Sequence, residues 1–297
     1  MAELLGAVHR GNLAEVNRLL AAGANPNTPD NNGDTPLMYT GRIIDMSSYT
    51  QIIEALLAAG ANPNIQNNRG HTAIFYSRPD MVKTFIDAGA NPNIRDNEGN
   101  TALMFVAESE EAVDYIEALL SNGADPNISD NEGDIPLMRA AANNLTDTVE
   151  LLLKFGADPN VQSNEGGTAI YYAAIIDNID IVRLLLPVSN IQTLQITGAG
   201  NKTILELAKE ENEFSPEINK LILKPYKQRQ VFNKIAGIEP GYEGKNIGTL
   251  KNIPDNVLKY VVGPMVGPKN GGRRRRHRKT KKRIGRRRAA KSHKRRA

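Results

Sequence analysis

The chain has 297 residues and contains neither cysteine nor tryptophan. The lack of cysteine excludes disulfides, thiolate metal sites and cysteine nucleophiles together. Aromatic residues make up only 5%. That is little for a globular core and ordinary for stacked helices rich in leucine, isoleucine and alanine. No apolar run approaches the ~18 residues that a membrane-spanning helix needs. The first residues carry neither a basic region nor a long apolar stretch, so secretion is not expected. The cytoplasm or the nucleus is the expected location.

Motifs for chemistry are also missing. Gly198 to Thr203 superficially resembles a phosphate loop. That loop needs glycine directly before the lysine and again five residues earlier. Asn201 and Ile196 stand there instead. His9 and His71 are the only histidines before the C-terminal tail, and neither has a ligand partner at metal spacing. His71 occupies a turn and is expected to be solvated. There is no nucleophile elbow, and the carboxylates fall at turn and surface positions. A non-enzyme without cofactor is expected.

Charge is abundant but unevenly placed. Thirty-seven lysines and arginines against thirty-three acids give a net +4. Sixteen of those bases lie between Arg273 and Ala297, where there is no acid. Up to Lys224 there are fourteen bases and thirty acids. The chain is an acidic body with a basic end, an asymmetry that points to an appended segment for nucleic acid, a membrane surface or a transport receptor.

The body repeats. Gly-Ala-Asn-Pro-Asn begins at Gly23, Gly60 and Gly89, and Gly-Ala-Asp-Pro-Asn at Gly123 and Gly156. The intervals are 37, 29, 34 and 33 residues. A turn glycine follows at Gly33, Gly70, Gly99, Gly133 and Gly166. Next come Thr35-Pro-Leu-Met38, Thr72-Ala-Ile-Phe75, Thr101-Ala-Leu-Met104, Ile135-Pro-Leu-Met138 and Thr168-Ala-Ile-Tyr171. A threonine before proline or alanine is a helix N-cap with a good first-turn residue behind it. A second helix then carries an apolar stripe at i, i+3 and i+4. Its members are Val16, Leu19 and Leu20; Ile53, Leu56 and Leu57; Val82, Phe85 and Ile86; Ile116, Leu119 and Leu120; Val149, Leu152 and Leu153. The closing glycine supplies a left-handed C-cap, and the proline beyond it prevents the helix from resuming.

These markers resemble the ankyrin-repeat family, over roughly residues 2–224. The resemblance implies an all-α solenoid of about seven helix-pair units including caps. It also implies a binding scaffold that meets its partner through turn tips and first helices. The tip residues so implicated include Asn32, Asp34, Arg69, His71, Glu98, Asn100, Glu132, Asp134 and Glu165. The first-helix residues are Tyr39, Tyr76, Phe105, Arg139 and Tyr172. The family's histidine after Thr-Pro-Leu is replaced by Met38, Phe75, Met104, Met138 and Tyr171, so its side-chain hydrogen bonding should be lost. The unit closing at Gly60 should have a lengthened inter-helix loop near Asp45 to Tyr49. The next unit, shortened around Ser77 to Asp80, should have a truncated first helix. The acidic tips favour a protein partner with a basic surface, bound by a monomer.

Beyond the array lies a connector, 225–270, with one short amphipathic helix at 253–262. That helix resembles the opening of the F-box-like segment of ankyrin proteins from large DNA viruses. The resemblance gives an alternative reading as an adaptor for a cullin-type ubiquitin ligase. Residues 271–297 are polybasic and too poor in apolar side chains to fold alone, so disorder is expected. Their charges are Arg273, Arg274, Arg275, Arg276, Arg278, Lys279, Lys281, Lys282, Arg283, Arg286, Arg287 and Arg288, with four more to the end. Such a cluster suits an import receptor or non-specific nucleic-acid binding. It has no aromatic ring to stack on bases. A similar glycine-then-polybasic ending occurs in proteins of giant DNA viruses.

Overall fold

The computed structural model describes residues 2–42, 46–189, 203–210 and 214–224. The predicted connector helix at 253–262 and the tail lie outside them. The regular elements among the described residues are all helical, and they form seven pairs. The first pair is α1 (Ala2–His9) with α2 (Leu13–Ala21), and the second is α3 (Pro36–Tyr39) with α4 (Met46–Ala58). In the third, a 3-10 turn (Ala73–Tyr76) replaces the first helix and α5 (Val82–Asp87) is the second. Then follow α6 (Ala102–Val106) with α7 (Val113–Ser121), and α8 (Pro136–Ala142) with α9 (Thr146–Lys154). The last two are α10 (Ala169–Ile175) with α11 (Ile179–Leu185), and α12 (Ile204–Leu207) with a helix at 216–224.

Equivalent helices stack in two rows. In the first row α6 packs on α8 and α8 on α10; in the second α7 packs on α9 and α9 on α11. The stripe residues fill the space between rows. Val16, Ile53, Val82, Ile116 and Val149 are fully buried, as are Leu56, Phe85, Leu119 and Leu152. The third stripe member is buried only at Leu120; Leu20, Leu57, Ile86 and Leu153 are half-buried. The two length variants resolve differently. The truncated first helix of unit 3 is present: Pro79 holds Arg78 in extended backbone, and Ser77 before it is extended as well. In unit 2, however, the added length lengthens the second helix: α4 runs for 13 residues and takes in Met46 to Tyr49. Residues 43–45 lie outside the description.

The N-cap expectation holds at Thr101, Thr168 and Thr203, whose hydroxyls accept from the N–H three residues on. At Thr203 the cap is reciprocal, since Glu206 Oε2 accepts from Thr203 N–H at 2.8 Å. The end of the suspected phosphate loop is thus a helix start. Thr35 and Thr72 differ: both hydroxyls are buried without a partner, and Met38 and Phe75 stand where the family's histidine would be.

Candidate functional site

The tips are built from short polar residues in a fixed order. The first tip residue folds back on its own turn. Asp30 Oδ1 accepts from the N–H of Asn32 and of Asp34, both at 2.8 Å. Asn67, Asp96 and Asp130 do the same two and four residues on. Ser163 keeps only the longer bond, from Gly167 N–H at 3.0 Å. The second tip residue is always asparagine, and it reaches back to the preceding unit. Asn68 Nδ2 donates to Asn31 O at 3.1 Å, Asn97 to Asn68 O at 2.9 Å, Asn131 to Asn97 O at 3.2 Å and Asn164 to Asn131 O at 3.0 Å. Backbone bonds run beside them, such as Asn97 N–H to Arg69 O at 3.1 Å. The tips therefore form a ladder.

A second ladder runs through the Gly-Ala-Asn-Pro-Asn segments. Asn27 Nδ2 donates to Gly60 O at 3.0 Å, while Asn27 Oδ1 accepts from Asn62 N–H at 2.7 Å. Asn64, Asn93 and Asn127 repeat both bonds to their next units. The last asparagine of the first four repeat markers is thus a tie between units, whereas Asn160, in the fifth, donates to Asp158 Oδ1 of its own unit at 2.9 Å.

The ladders leave the third tip residue facing solvent. Asn32, Arg69, Glu98, Glu132 and Glu165 are all exposed. The fifth tip residue behaves otherwise: Asp34, His71 and Asn100 are buried at 3%, 7% and 5%, and Asp134 is half-buried. This corrects the expectation of a solvated His71. Its Nδ1 lies 2.9 Å from Tyr76 Oη and its Nε2 3.4 Å from Asp96 Oδ2. Its ring stacks on Phe75 at 4.5 Å. Burial lowers its pKa, against the raising influence of Asp96. Asp34 likewise accepts a 2.6 Å bond from Asn67 Nδ2 in the next unit. Asp34, His71 and Asn100 are joints between units rather than open contact points.

The predicted first-helix residues form a column at the fourth position of each first helix or turn. Tyr39 donates to Asp30 Oδ2 at 2.7 Å. Asn67 Nδ2 donates to Tyr76 Oη at 3.0 Å. Arg139 donates to Asp130 Oδ2 at 2.5 Å, to Glu108 Oε1 at 2.6 Å and to Asn100 Oδ1 at 2.9 Å. Tyr172 Oη sits 3.4 Å from Ser163 Oγ and donates to Asp134 Oδ1 at 3.5 Å. Burial and the neighbouring charge of Asp130 push the Asp134 carboxyl up. Phe105 alone in the column has no polar end, and it is 51% exposed. Sequence reasoning missed Asp96 and Asp130, which anchor His71 and Arg139 from beneath; their signal was the acid or amide constant at the first place of four tips.

Among the described residues no cluster of histidine and carboxylates suits a metal, and no helix is long and apolar enough to cross a membrane. The sequence-predicted polyanion residues, Arg273 to Arg288, lie outside the described residues.

No curated protein matches the sequence. Among solved structures, the ankyrin repeat domain of Bcl-3, titled a member of the IkappaB protein family, superimposes with a TM-score of 0.63 at 26% identity, over 74% of this chain and 97% of that one. The human ASB11 ankyrin repeat domain gives 0.57 at 21% identity, over 74% and 96%, and supports the fold alone. The family profile described as ankyrin repeats in three copies matches residues 43–130, 71–163 and 137–231. With most of the sequence matched and both ladders in place, this chain belongs to the ankyrin-repeat family.

Proposed function

We propose that the chain is a non-catalytic scaffold whose array binds a protein with a basic surface through its tips and first helices. The observation that carries this reading is the row Glu98, Glu132 and Glu165. These three side chains stand exposed on consecutive tips that the asparagine ladder holds in register. A row of like charges on a rigid backbone selects its partner by complementarity. Asp134 sits behind Glu132 and deepens the negative field. The polybasic end, 271–297, then serves nuclear targeting or non-specific nucleic-acid binding, which places the protein in the cytoplasm or the nucleus.

The test is affinity capture with the full chain, with a Glu98→Lys, Glu132→Lys, Glu165→Lys variant, and with a chain lacking 271–297. A partner of the array is retained after loss of the tail and disappears with the triple variant. An unchanged set of captured proteins in the triple variant refutes the tip reading. Nuclear accumulation and retention on DNA that survive loss of the tail refute the tail reading.

A further inference from the structure

Phe105 is an exception within a column that otherwise serves the fold. Tyr39, Tyr76, Arg139 and Tyr172 each have a polar end within hydrogen-bond reach of the first residue of their own tip. Phe105 cannot do so, and Asp96 meets His71 of the preceding unit instead. One side of the ring is held by His71 at 5.5 Å, edge to face, and by Phe75 at 6.0 Å, tilted to it. About half of the side chain stays in water.

Acidic residues predominate around this ring. From Asp96 to Asp134 there are eleven acidic residues and no lysine or arginine. Arg95, at the start of this stretch, is already engaged on the tips, donating to Gly99 O at 2.9 Å and to Asn131 Oδ1 at 3.0 Å. Glu98 on the same unit's tip is exposed, and so is Glu108, one helical turn past Phe105. The next cation along the chain, Arg139, is already gripped by Asp130, Glu108 and Asn100. Asn100 Nδ2 also donates to Glu98 Oε2 at 3.3 Å, so the tip and the column belong to one network. An aromatic ring in a negative field attracts a flat cation. Guanidinium stacks on such a ring while its N–H groups remain available to carboxylates.

We propose that Phe105 is the anchor for an arginine of an extended basic segment in the partner protein, with the guanidinium on the ring and Glu98 beside it. This rests on the reading of the array as a binder of basic partners, and narrows it to one point and one side chain. A polyanion at this face is opposed by the same field, and a purely apolar anchor would leave the carboxylates unmatched.

The probes are three labelled peptides of equal length: arginine alternating with glycine, citrulline alternating with glycine, and leucine alternating with glycine. Binding to the full chain is read by fluorescence anisotropy. The arginine peptide should bind and the citrulline peptide, equal in shape but neutral, should not. Phe105→Leu should weaken arginine-peptide binding about threefold to fivefold, and Phe105→Trp should tighten it, as ring strength dictates. The exposure of the side chain means that neither change should move the thermal midpoint, which is measured alongside. Equal affinity of Phe105→Leu and the parent overturns the anchor, as does preference for the leucine peptide. If Phe105→Leu is silent while Glu98→Gln with Glu132→Gln weakens binding, the anchor fails and the tip reading stands. If neither variant changes binding, both fail.

Discussion

His71 carries two jobs in one ring, stacking on Phe75 and joining Tyr76 to Asp96 across a unit boundary. Only the neutral ring can accept from the Tyr76 hydroxyl, and burial disfavours its charged form. Its folded pKa therefore lies below the unfolded value of about 6.5. The unfolded chain binds a proton first as pH falls, so the contribution of His71 to stability is present above that value and is lost as pH drops through the folded pKa. Asp96, Asp34, Arg69 and Tyr76 are the titratable neighbours; Asp96 and Asp34 work to raise the His71 pKa and Arg69 to lower it. In urea melts, the stability gap between the parent chain and His71→Gln should be widest near neutral pH and narrow toward pH 5. A gap that widens on acidification contradicts this. The burial behind the effect was not legible in the sequence. His71 occupies the same tip place as Asp134, and what covers it is supplied by the next unit, around Asp96. A repeat pattern announces the place of a residue within its unit, but not the neighbour that will close over it.

Elements show which parts of the marker strings were readable and why. The stripe positions were readable because each helix has to bury one face whichever partner it meets, and Val16, Ile53 and Val149 do so. Helix lengths were only partly readable. Pro79 forced the short start of unit 3, while the added residues of unit 2 joined α4, since Met46 to Tyr49 can continue a helix already committed to packing. The two kinds of conserved-looking glycine turn out to have different causes. Gly60 closes α4 at φ +87° with open space where a Cβ would stand. Gly70 has φ +84°, and a Cβ there would lie 2.6 Å from Asn97 N, a member of the tip ladder. Gly60→Ala should cost roughly 1–2 kcal/mol, the penalty of the left-handed backbone alone. Gly70→Ala should cost that amount plus about 1 kcal/mol for the broken Asn97 to Arg69 bond. Urea midpoints of the two variants measure the difference, and Gly60→Asn should recover part of its loss because asparagine tolerates that conformation. Equal costs for the two alanines would mean that the tip ladder adds nothing.

At the level of the whole array, the ladders and the core do not follow the same plan. Hydrogen bonds continue from Asn27 to Asp158 and from Asn31 to Asn164 without interruption. The buried apolar side chains instead divide at unit 3. Ala73, Met81, Phe85 and Ala90 join the cluster that begins at Leu4. Ile74, Phe75 and Val82, from the same unit, join the cluster that ends at Ile222. Tyr76 and Ile86, both half-buried, touch the two sides. The cause is the missing first helix: a single 3-10 turn presents too few side chains to merge its two faces. The Tyr115 hydroxyl, which burial holds in its neutral form, crosses to Ile74 O and bolts the C-terminal side to this turn. Stability in a repeat array is a sum of units and nearest-neighbour interfaces, so the weakest interface sets where it opens. Native-state hydrogen exchange with rising urea should show amides of α2 and α4 losing protection together, before those of α7, α9 and α11. Phe85→Ala, which empties the N-terminal side of the seam, should lower the protection of α4 by about 3 kcal/mol or more and leave α9 nearly unchanged. A single opening free energy shared by all of these helices would show that the continuous ladders, rather than the divided core, govern how the array holds together.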